Sequence, residues 1–102
     1  LRHRNWKGGG GELDLVMERR GEIVFIEVKA RGSDLFGGAA AAVDAHKRRV
    51  LTRAAGAYLG RFGLWDRPSR FDVIAIERRR GIFPWRLRHY QSAFQPDLGR
   101  MF

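Results

Sequence analysis

The stretch Gly11-Glu-Leu-Asp-Leu-Val-Met-Glu-Arg-Arg-Gly-Glu-Ile-Val-Phe-Ile-Glu-Val-Lys-Ala30 decides the fold, because its pattern predicts a β-hairpin. Residues 13–17 carry Leu, Leu and Met at every second position, the period of two typical of a strand with two different faces. The run Ile23–Ala30 is rich in β-branched and aromatic residues, as a largely buried strand should be. Arg20-Gly21 is predicted to be a two-residue turn in which glycine supplies a positive φ.

The predicted turn fixes a register that brings charged side chains together. With that turn as the loop, Asp14 lies opposite Glu27 and Glu12 lies opposite Lys29, and both pairs share one face of the hairpin. Two carboxylates about 5 Å apart repel by roughly 3 kcal/mol at an effective dielectric of about 20. A shared proton, a neighbouring cation such as Lys29, or a bound divalent metal would relieve that repulsion.

A second interpretation of these charges stands beside the first. Alternating acidic and basic residues on a hairpin usually form a solvated face with weak cross-strand ion pairs. Ile23 and Phe25, however, share the face of Glu27 and Lys29, so this face cannot be wholly solvated. The solvated face and the functional site are therefore both kept open on the residues alone.

Composition bounds the class of protein. The chain has 102 residues, which suits a single domain spanning 1–102, and its 44% apolar and 30% charged content predicts a folded globular protein. It has no cysteine, which excludes disulfides and thiolate metal sites. No apolar run approaches the length of a membrane span, so we expect a cytoplasmic protein with no membrane partner.

The strong positive charge points to a polyanionic partner. The net charge is +9, and 17 of the 20 basic residues are arginine, which suits phosphate recognition. A GC-rich genome would raise the arginine content as well, so the charge favours nucleic acid without naming a reaction.

The rest of the chain supplies further predicted elements around the hairpin. They are a short strand in Leu1–Trp6, a glycine turn at 8–11, a helix Ala45–Phe62 capped by Asp44 and ended by Gly63, a strand Phe71–Glu77, a basic turn at 78–81, a final strand Ile82–Tyr90 and a tail Gln91–Phe102. Asp72 is interpreted as a lone solvated carboxylate outside the site. The three histidines show no metal-binding spacing.

The predicted helix carries basic residues, and the pattern allows two alternative roles for each of them. Lys47 interrupts an otherwise apolar stripe, so it either lays its stem along the core edge or aims its amine at the acidic residues of the sheet. Arg48, Arg49 and Arg53 lie beside or outside that stripe, as a solvated face or as a phosphate-contacting one.

The ordered motifs resemble a known family. Gly11-Glu-Leu-Asp-Leu-Val followed by Val24-Phe-Ile-Glu-Val-Lys-Ala-Arg31 resembles the PD-(D/E)XK nuclease superfamily, and more closely the bacterial YraN-like family, which is similar to archaeal Holliday-junction resolvases. Further matches cover nearly the whole chain: Arg4-Asn5-Trp6, Phe36-Gly37-Gly38, Ala42-Val43 with Lys47, Ala57-Tyr58-Leu59, Arg70-Phe71-Asp72-Val73 and Ser92-Ala93-Phe94.

The resemblance implies a fold and a set of site residues. The fold would be a restriction-endonuclease-like α/β (α+β) domain with a central mixed β-sheet flanked by helices. Asp14 and Glu27 would hold a Mg²⁺ or Mn²⁺ ion with the Val28 carbonyl, and Lys29 would orient or deprotonate the attacking water. Glu12 would serve a second metal or position Lys29, and Lys47 matches a helix residue that faces the site.

The resemblance also implies partners, and it has two departures. The expected partner is nucleic acid, DNA in the first place, and a homodimer is a candidate assembly. On the endonuclease hypothesis, the basic residues expected to dock the nucleic acid are Arg31, Arg48, Arg49, Arg53, Arg78, Arg79 and Arg80. Leu13 replaces the proline that often precedes the acidic residue, and the N-terminal helix of the relatives is expected to be absent. A non-catalytic nucleic-acid-binding module and a basic module for an acidic protein partner remain alternatives.

Overall fold

The part of the chain that the structure describes forms a five-stranded mixed sheet with a helix packed on one face. The computed structural model describes residues 1–31, 45–78 and 85–94. Its elements are β1 (His3–Gly8), β2 (Gly11–Arg19), β3 (Glu22–Arg31), α1 (Ala45–Phe62), β4 (Ser69–Arg78) and β5 (Trp85–Phe94). The strands lie in the order β1-β2-β3-β4-β5, and only β3 and β4 run parallel. The predicted α+β mixed sheet is confirmed, and it is compatible with a restriction-endonuclease-like core.

The first three strands form a meander joined by two tight turns. Gly9-Gly10 and Arg20-Gly21 are two-residue loops in which all four residues have positive φ, between 53° and 81°. This backbone conformation matches the right-handed twist of the flanking strands, which is why two-residue hairpin loops favour it. The predicted hairpin register is confirmed from Leu15–Ile26 to Arg19–Glu22, and the described ladder does not extend to the predicted pairs Asp14–Glu27 and Glu12–Lys29.

The helix α1 makes the crossover that parallel pairing of β3 with β4 requires. Its bounds are those predicted, and Gly63, with a φ of 66°, follows its last residue as a left-handed C-cap. The predicted N-cap Asp44 lies outside the described residues.

The core lies between α1 and one face of the sheet. Tyr58 is fully buried there, and its ring meets those of Phe25 and Trp6 edge-on at centroid distances of 5.9 and 5.1 Å. Phe71 stacks on Phe94 at 4.5 Å. Large side chains that are fully buried in this way each contribute roughly 1.5–3 kcal/mol to stability.

The last strand extends further than predicted. The sequence predicted a strand Ile82–Tyr90 followed by a tail, whereas β5 continues through Phe94. The strand continues because Phe94 is buried against Phe71, and a register shift between Phe71 and Val73 accommodates it. Residues 82–84 and the rest of the predicted tail, 95–102, lie outside the described residues.

Candidate functional site

The regular alternation of β2 breaks at Asp14. Leu13 and Val16 are both buried in the core although they are three residues apart, so no unbroken period of two connects them. The regular two-faced alternation that Leu13, Leu15 and Met17 indicate is therefore not kept, because Leu13 is buried whereas Leu15 and Met17 are half-buried. Across the ladder Asn5, with a φ of 51°, lies between the two β1 residues that pair with Leu13 and Leu15.

The hairpin ladder ends where Asp14 begins to bond through its side chain. The described pairing of β2 with β3 stops at Leu15–Ile26. The backbone N–H of Val28 then donates a hydrogen bond to Asp14 Oδ2 at 2.9 Å. The carboxylate thus accepts a bond from a backbone group of β3, which fixes Asp14 against the strand that carries Glu27.

Glu27 is buried with two lysines against one of its oxygens. Its relative exposure is 4%. Lys29 Nζ lies 3.1 Å from Glu27 Oε1, and Lys47 Nζ, from α1, lies 3.7 Å from the same atom. The sharper interpretation of Lys47, an amine aimed at the acidic residues of the sheet, therefore describes its position. We call Asp14 and Glu27 the acidic pair.

The environment of Glu27 disfavours its ionised form. Burial raises the pKa of the Glu27 carboxyl, and the neighbouring Asp14 carboxylate raises it further. Lys29 and Lys47 act in the opposite direction without reversing the shift. The site therefore holds a proton on Glu27 to higher pH than an ordinary glutamate would, and it favours binding of an additional cation.

The residues of the acidic pair fit a divalent metal in kind. Two carboxylates and the Val28 carbonyl are hard oxygen donors, and Mg²⁺ is commonly bound by one or two carboxylates together with waters and substrate phosphates. Within residues 1–31, 45–78 and 85–94, no group of three or more His, Asp or Glu side chains could hold an ion by itself. The donor set is thus a partial one that leaves room for water or phosphate oxygens.

The other predicted site residues fall into separate places. Glu12 is exposed and pairs with Lys7 on the β1 side, and the described β2–β3 ladder ends before it reaches the predicted pair of Glu12 with Lys29. Arg49 and Arg53 are exposed on α1, whereas the Arg48 guanidinium lies 5.3 Å from the Phe94 ring, toward β5.

The remaining predicted docking arginines lie at strand ends or beyond them. Arg31 ends β3 and Arg78 ends β4. Arg79 and Arg80 lie outside the described residues.

A second polar cluster on the opposite face of the sheet was missed. Asp72 is fully buried, so its interpretation as a solvated carboxylate is wrong. Arg70 donates to it through Nε at 3.0 Å and Nη2 at 3.3 Å, the Ser92 N–H donates at 2.9 Å, and His89 Nε2 lies 2.7 Å away. Arg70 also donates to Glu22 at 2.9 Å.

These contacts hold Asp72 ionised. Burial acts to raise the pKa of Asp72, but bonds from Ser92, His89 and Arg70 outweigh it and keep the pKa below its ordinary value. One signal in the sequence could have indicated this: Arg70 and Asp72 are two residues apart in an apolar strand, so they share a face and can pair.

Comparisons with known proteins place the chain. None of the described helical residues form a helix long and apolar enough to cross a membrane. A family model described as "Uncharacterised protein family UPF0102" matches residues 1–76. A UPF0102 protein of Bacteroides thetaiotaomicron is 43% identical over 98 residues, which cover 96% of this chain and 78% of the relative. A UPF0102 protein of Pseudomonas paraeruginosa is 41% identical over 92 residues, covering 89% and 74% respectively. The chain belongs to the UPF0102 family.

Proposed function

We propose that the protein is a divalent-metal-dependent DNA endonuclease in which Asp14, Glu27 and Lys29 carry the chemistry. The observation that supports this most is the burial of Glu27 beside a second carboxylate, with its pKa raised. Keeping that pair ionised opposes folding, because burial and the neighbouring charge both act against it. Acids with perturbed pKa values grouped around a lysine are typical of catalytic sites.

Each residue has a role that its position supports. Asp14 and Glu27 would hold Mg²⁺ or Mn²⁺, with the Val28 carbonyl as a further donor; the bound ion would supply an activated water and stabilise charge on the phosphate. The Val28 N–H keeps the Asp14 carboxylate in place. The Lys29 amine, on the same strand as Glu27, orients the attacking water and stabilises negative charge that develops on the phosphate.

Lys47 and Glu12 have supporting roles in the proposal. Lys47 holds Glu27 Oε1 from the helix side, so it links the position of α1 to the position of the carboxylate. Glu12 is exposed two residues before Asp14 and would position water or a second ion there. Structure-selective, resolvase-like cleavage by a symmetric homodimer belongs to the same proposal.

A second candidate function rests on a specific observation. Both lysines already pair with the same oxygen of Glu27, and such pairing satisfies a buried carboxylate without any metal. The protein would then be a non-catalytic nucleic-acid-binding module. It would bind DNA in a salt-sensitive way and would not cleave it, whichever metal is added.

Titration of the protein with Mn²⁺ and with Mg²⁺, monitored by isothermal calorimetry, distinguishes the two candidate functions. For the endonuclease we expect micromolar to millimolar binding that Glu27→Gln abolishes. Glu22→Gln is the matched control, because it removes a carboxylate from the same strand at the far end from the acidic pair. An absence of binding, or binding that survives Glu27→Gln, would count against the endonuclease.

Cleavage assays then test the role of Lys29. The substrates are a four-way junction, a flap, a nicked duplex and a linear duplex of DNA, each with Mg²⁺ or Mn²⁺. Lys29→Met keeps the length of the side chain and removes its charge, so we expect it to abolish cleavage while DNA binding survives. Loss of DNA binding together with cleavage in a folded variant would contradict the catalytic role.

A further inference from the structure

An open depression lies at the β1–β2 turn, close along the chain to the acidic pair. Its volume is about 520 Å³, and it is lined by Lys7, Gly8, Gly10, Gly11 and Glu12; we call it the glycine-turn groove. Glu12 precedes Asp14 by two residues, a separation of about 7 Å in an extended strand. The groove therefore opens next to the site that we propose for cleavage.

The two glycines at the tip of this turn have different surroundings. Both have positive φ, 61° for Gly9 and 80° for Gly10. A Cβ on Gly9 would lie 2.7 Å from the Arg53 carbonyl oxygen, so α1 fills the space beside it. A Cβ on Gly10 would meet nothing within 4 Å in the described part of the chain. The protein's own packing thus leaves the backbone at Gly10 uncovered.

One basic side chain lines the groove, and two more are carried by the part of α1 that packs against the glycine turn. Val50 and the Arg53 backbone of α1 lie against Gly11 and Gly9, so this part of the helix packs beside the turn that forms the groove. Arg49 and Arg53 are four residues apart on the helix and are both exposed. Lys7 is exposed at the groove itself, where it faces Glu12 across the β1–β2 ladder.

We propose that the glycine-turn groove docks the phosphodiester backbone of duplex DNA on its way to the acidic pair. This inference rests on the proposed function and adds a contact surface to it. A bare glycine backbone lets a phosphate approach closely, and Lys7, Arg49 and Arg53 complement its charge. Gly10 precedes Asp14 by four residues, or roughly 13 Å. That distance corresponds to about four base-pair steps along the helix axis of duplex DNA, at roughly 3.4 Å each.

A pair of isosteric substitutions at Gly10 tests the docking directly. Asn and Asp both tolerate the left-handed conformation at this position, and they differ only in charge. We expect Gly10→Asp to bind duplex DNA at least about fivefold more weakly than Gly10→Asn, because it places one negative charge within about 5 Å of a phosphate. The measurement is fluorescence anisotropy with labelled duplex in EDTA, so that neither metal nor cleavage contributes.

The second tight turn provides the matched control. Gly21 has a φ of 81° in a two-residue loop of the same kind, at the other end of β2. Gly21→Asp and Gly21→Asn change the net charge equally, and we expect their affinities to agree within about twofold. An Asp-to-Asn ratio that is equal at the two turns would overturn the proposal, since only net charge would then matter. Failure of the wild-type chain to bind DNA, or an effect confined to an RNA duplex, would overturn it too.

The outcome can be distinguished from that of the proposed function. Metal binding and cleavage depend on Glu27, whereas the Gly10 comparison measures binding alone. A fivefold difference in DNA affinity between Gly10→Asn and Gly10→Asp without cleavage supports docking at the groove and refutes the endonuclease proposal alone. Cleavage without a Gly10 effect refutes the groove alone. Circular dichroism and thermal unfolding of all four variants establish that they are folded.

Discussion

Glu27→Gln should stabilise the protein at neutral pH while it abolishes metal binding. The Asp14 charge opposes the ionised Glu27, and at the general cross-strand spacing of about 5 Å and an effective dielectric of about 20 such a repulsion amounts to about 3 kcal/mol. Lys29 at 3.1 Å and Lys47 at 3.7 Å attract the ionised carboxylate by about 5 and about 4 kcal/mol before solvent screening. Solvent screening reduces the attraction of Lys47 substantially, because its side chain is 40% exposed. Burial of the carboxylate costs several kcal/mol more.

The sign of the net effect follows from the pKa. Because the pKa of Glu27 is raised, burial and repulsion together outweigh the attraction of the two lysines. The free energy of unfolding of the Glu27→Gln variant should therefore be at least about 1 kcal/mol higher than that of the wild type. Below the unfolded-state pKa of 4.5 the carboxyl is protonated in both states, so the difference should vanish there. It should appear as the pH rises through the higher folded-state pKa.

Urea unfolding followed by circular dichroism at about pH 4 and about pH 7.5 measures this difference. Glu12→Gln is the control, because it removes an exposed carboxylate from the same hairpin. If Glu27→Gln were less stable than the wild type by about 1 kcal/mol or more at pH 7.5, the lysine pairs would dominate and the reasoning would be refuted.

Three further perturbations test other parts of the structure. Asp72→Asn should lower the free energy of unfolding by about 1–3 kcal/mol at neutral pH, because it removes the buried charge that Arg70 and His89 contact, while Arg70 keeps its pair with Glu22. Since the pKa of Asp72 is lowered from 3.8, that loss should shrink as the pH falls through its folded-state pKa, which urea unfolding at several pH values measures. Tyr58→Phe removes the hydroxyl that accepts a bond from Arg2 Nε, so we expect a loss of about 1 kcal/mol in thermal unfolding. Arg49→Gln and Arg53→Gln should each reduce the slope of log affinity for DNA against log salt by about 0.9, as measured by anisotropy.

Local chemistry explains why much of the fold could be predicted. Gly21 indicated the turn, and a two-residue loop allows one pairing register between the flanking strands. The residues that lie opposite each other could therefore be identified by counting outward from the turn. The helix bounds followed from the predicted C-cap at Gly63 and from apolar spacing. The register predicted Lys29 near the acidic residues, whereas the interrupted helix stripe left two interpretations of Lys47, of which the amine aimed at the sheet is the one that the structure shows.

The features that could not be predicted depend on contacts distant in sequence. The break at Asp14 arises because its carboxylate accepts a backbone hydrogen bond from β3, and counting side chains along β2 does not register that bond. The burial of Asp72 depends on β5, whose His89 and Ser92 contact it next to the register shift between Phe71 and Val73. Neither the shift nor the length of β5 has a clear local signal.

The position of the acidic pair within one hairpin bears on how the protein folds. Asp14 and Glu27 belong to adjacent strands joined by a two-residue loop, and hairpins form in roughly 1–10 μs. The parallel pairing of β3 with β4 begins at Ile23–Ser69, so it requires closure of a long segment and forms more slowly. We therefore expect the two carboxylates to meet before Lys47 arrives with α1. Their repulsion would slow this early step at neutral pH, and a divalent cation could speed it by binding before the core has closed.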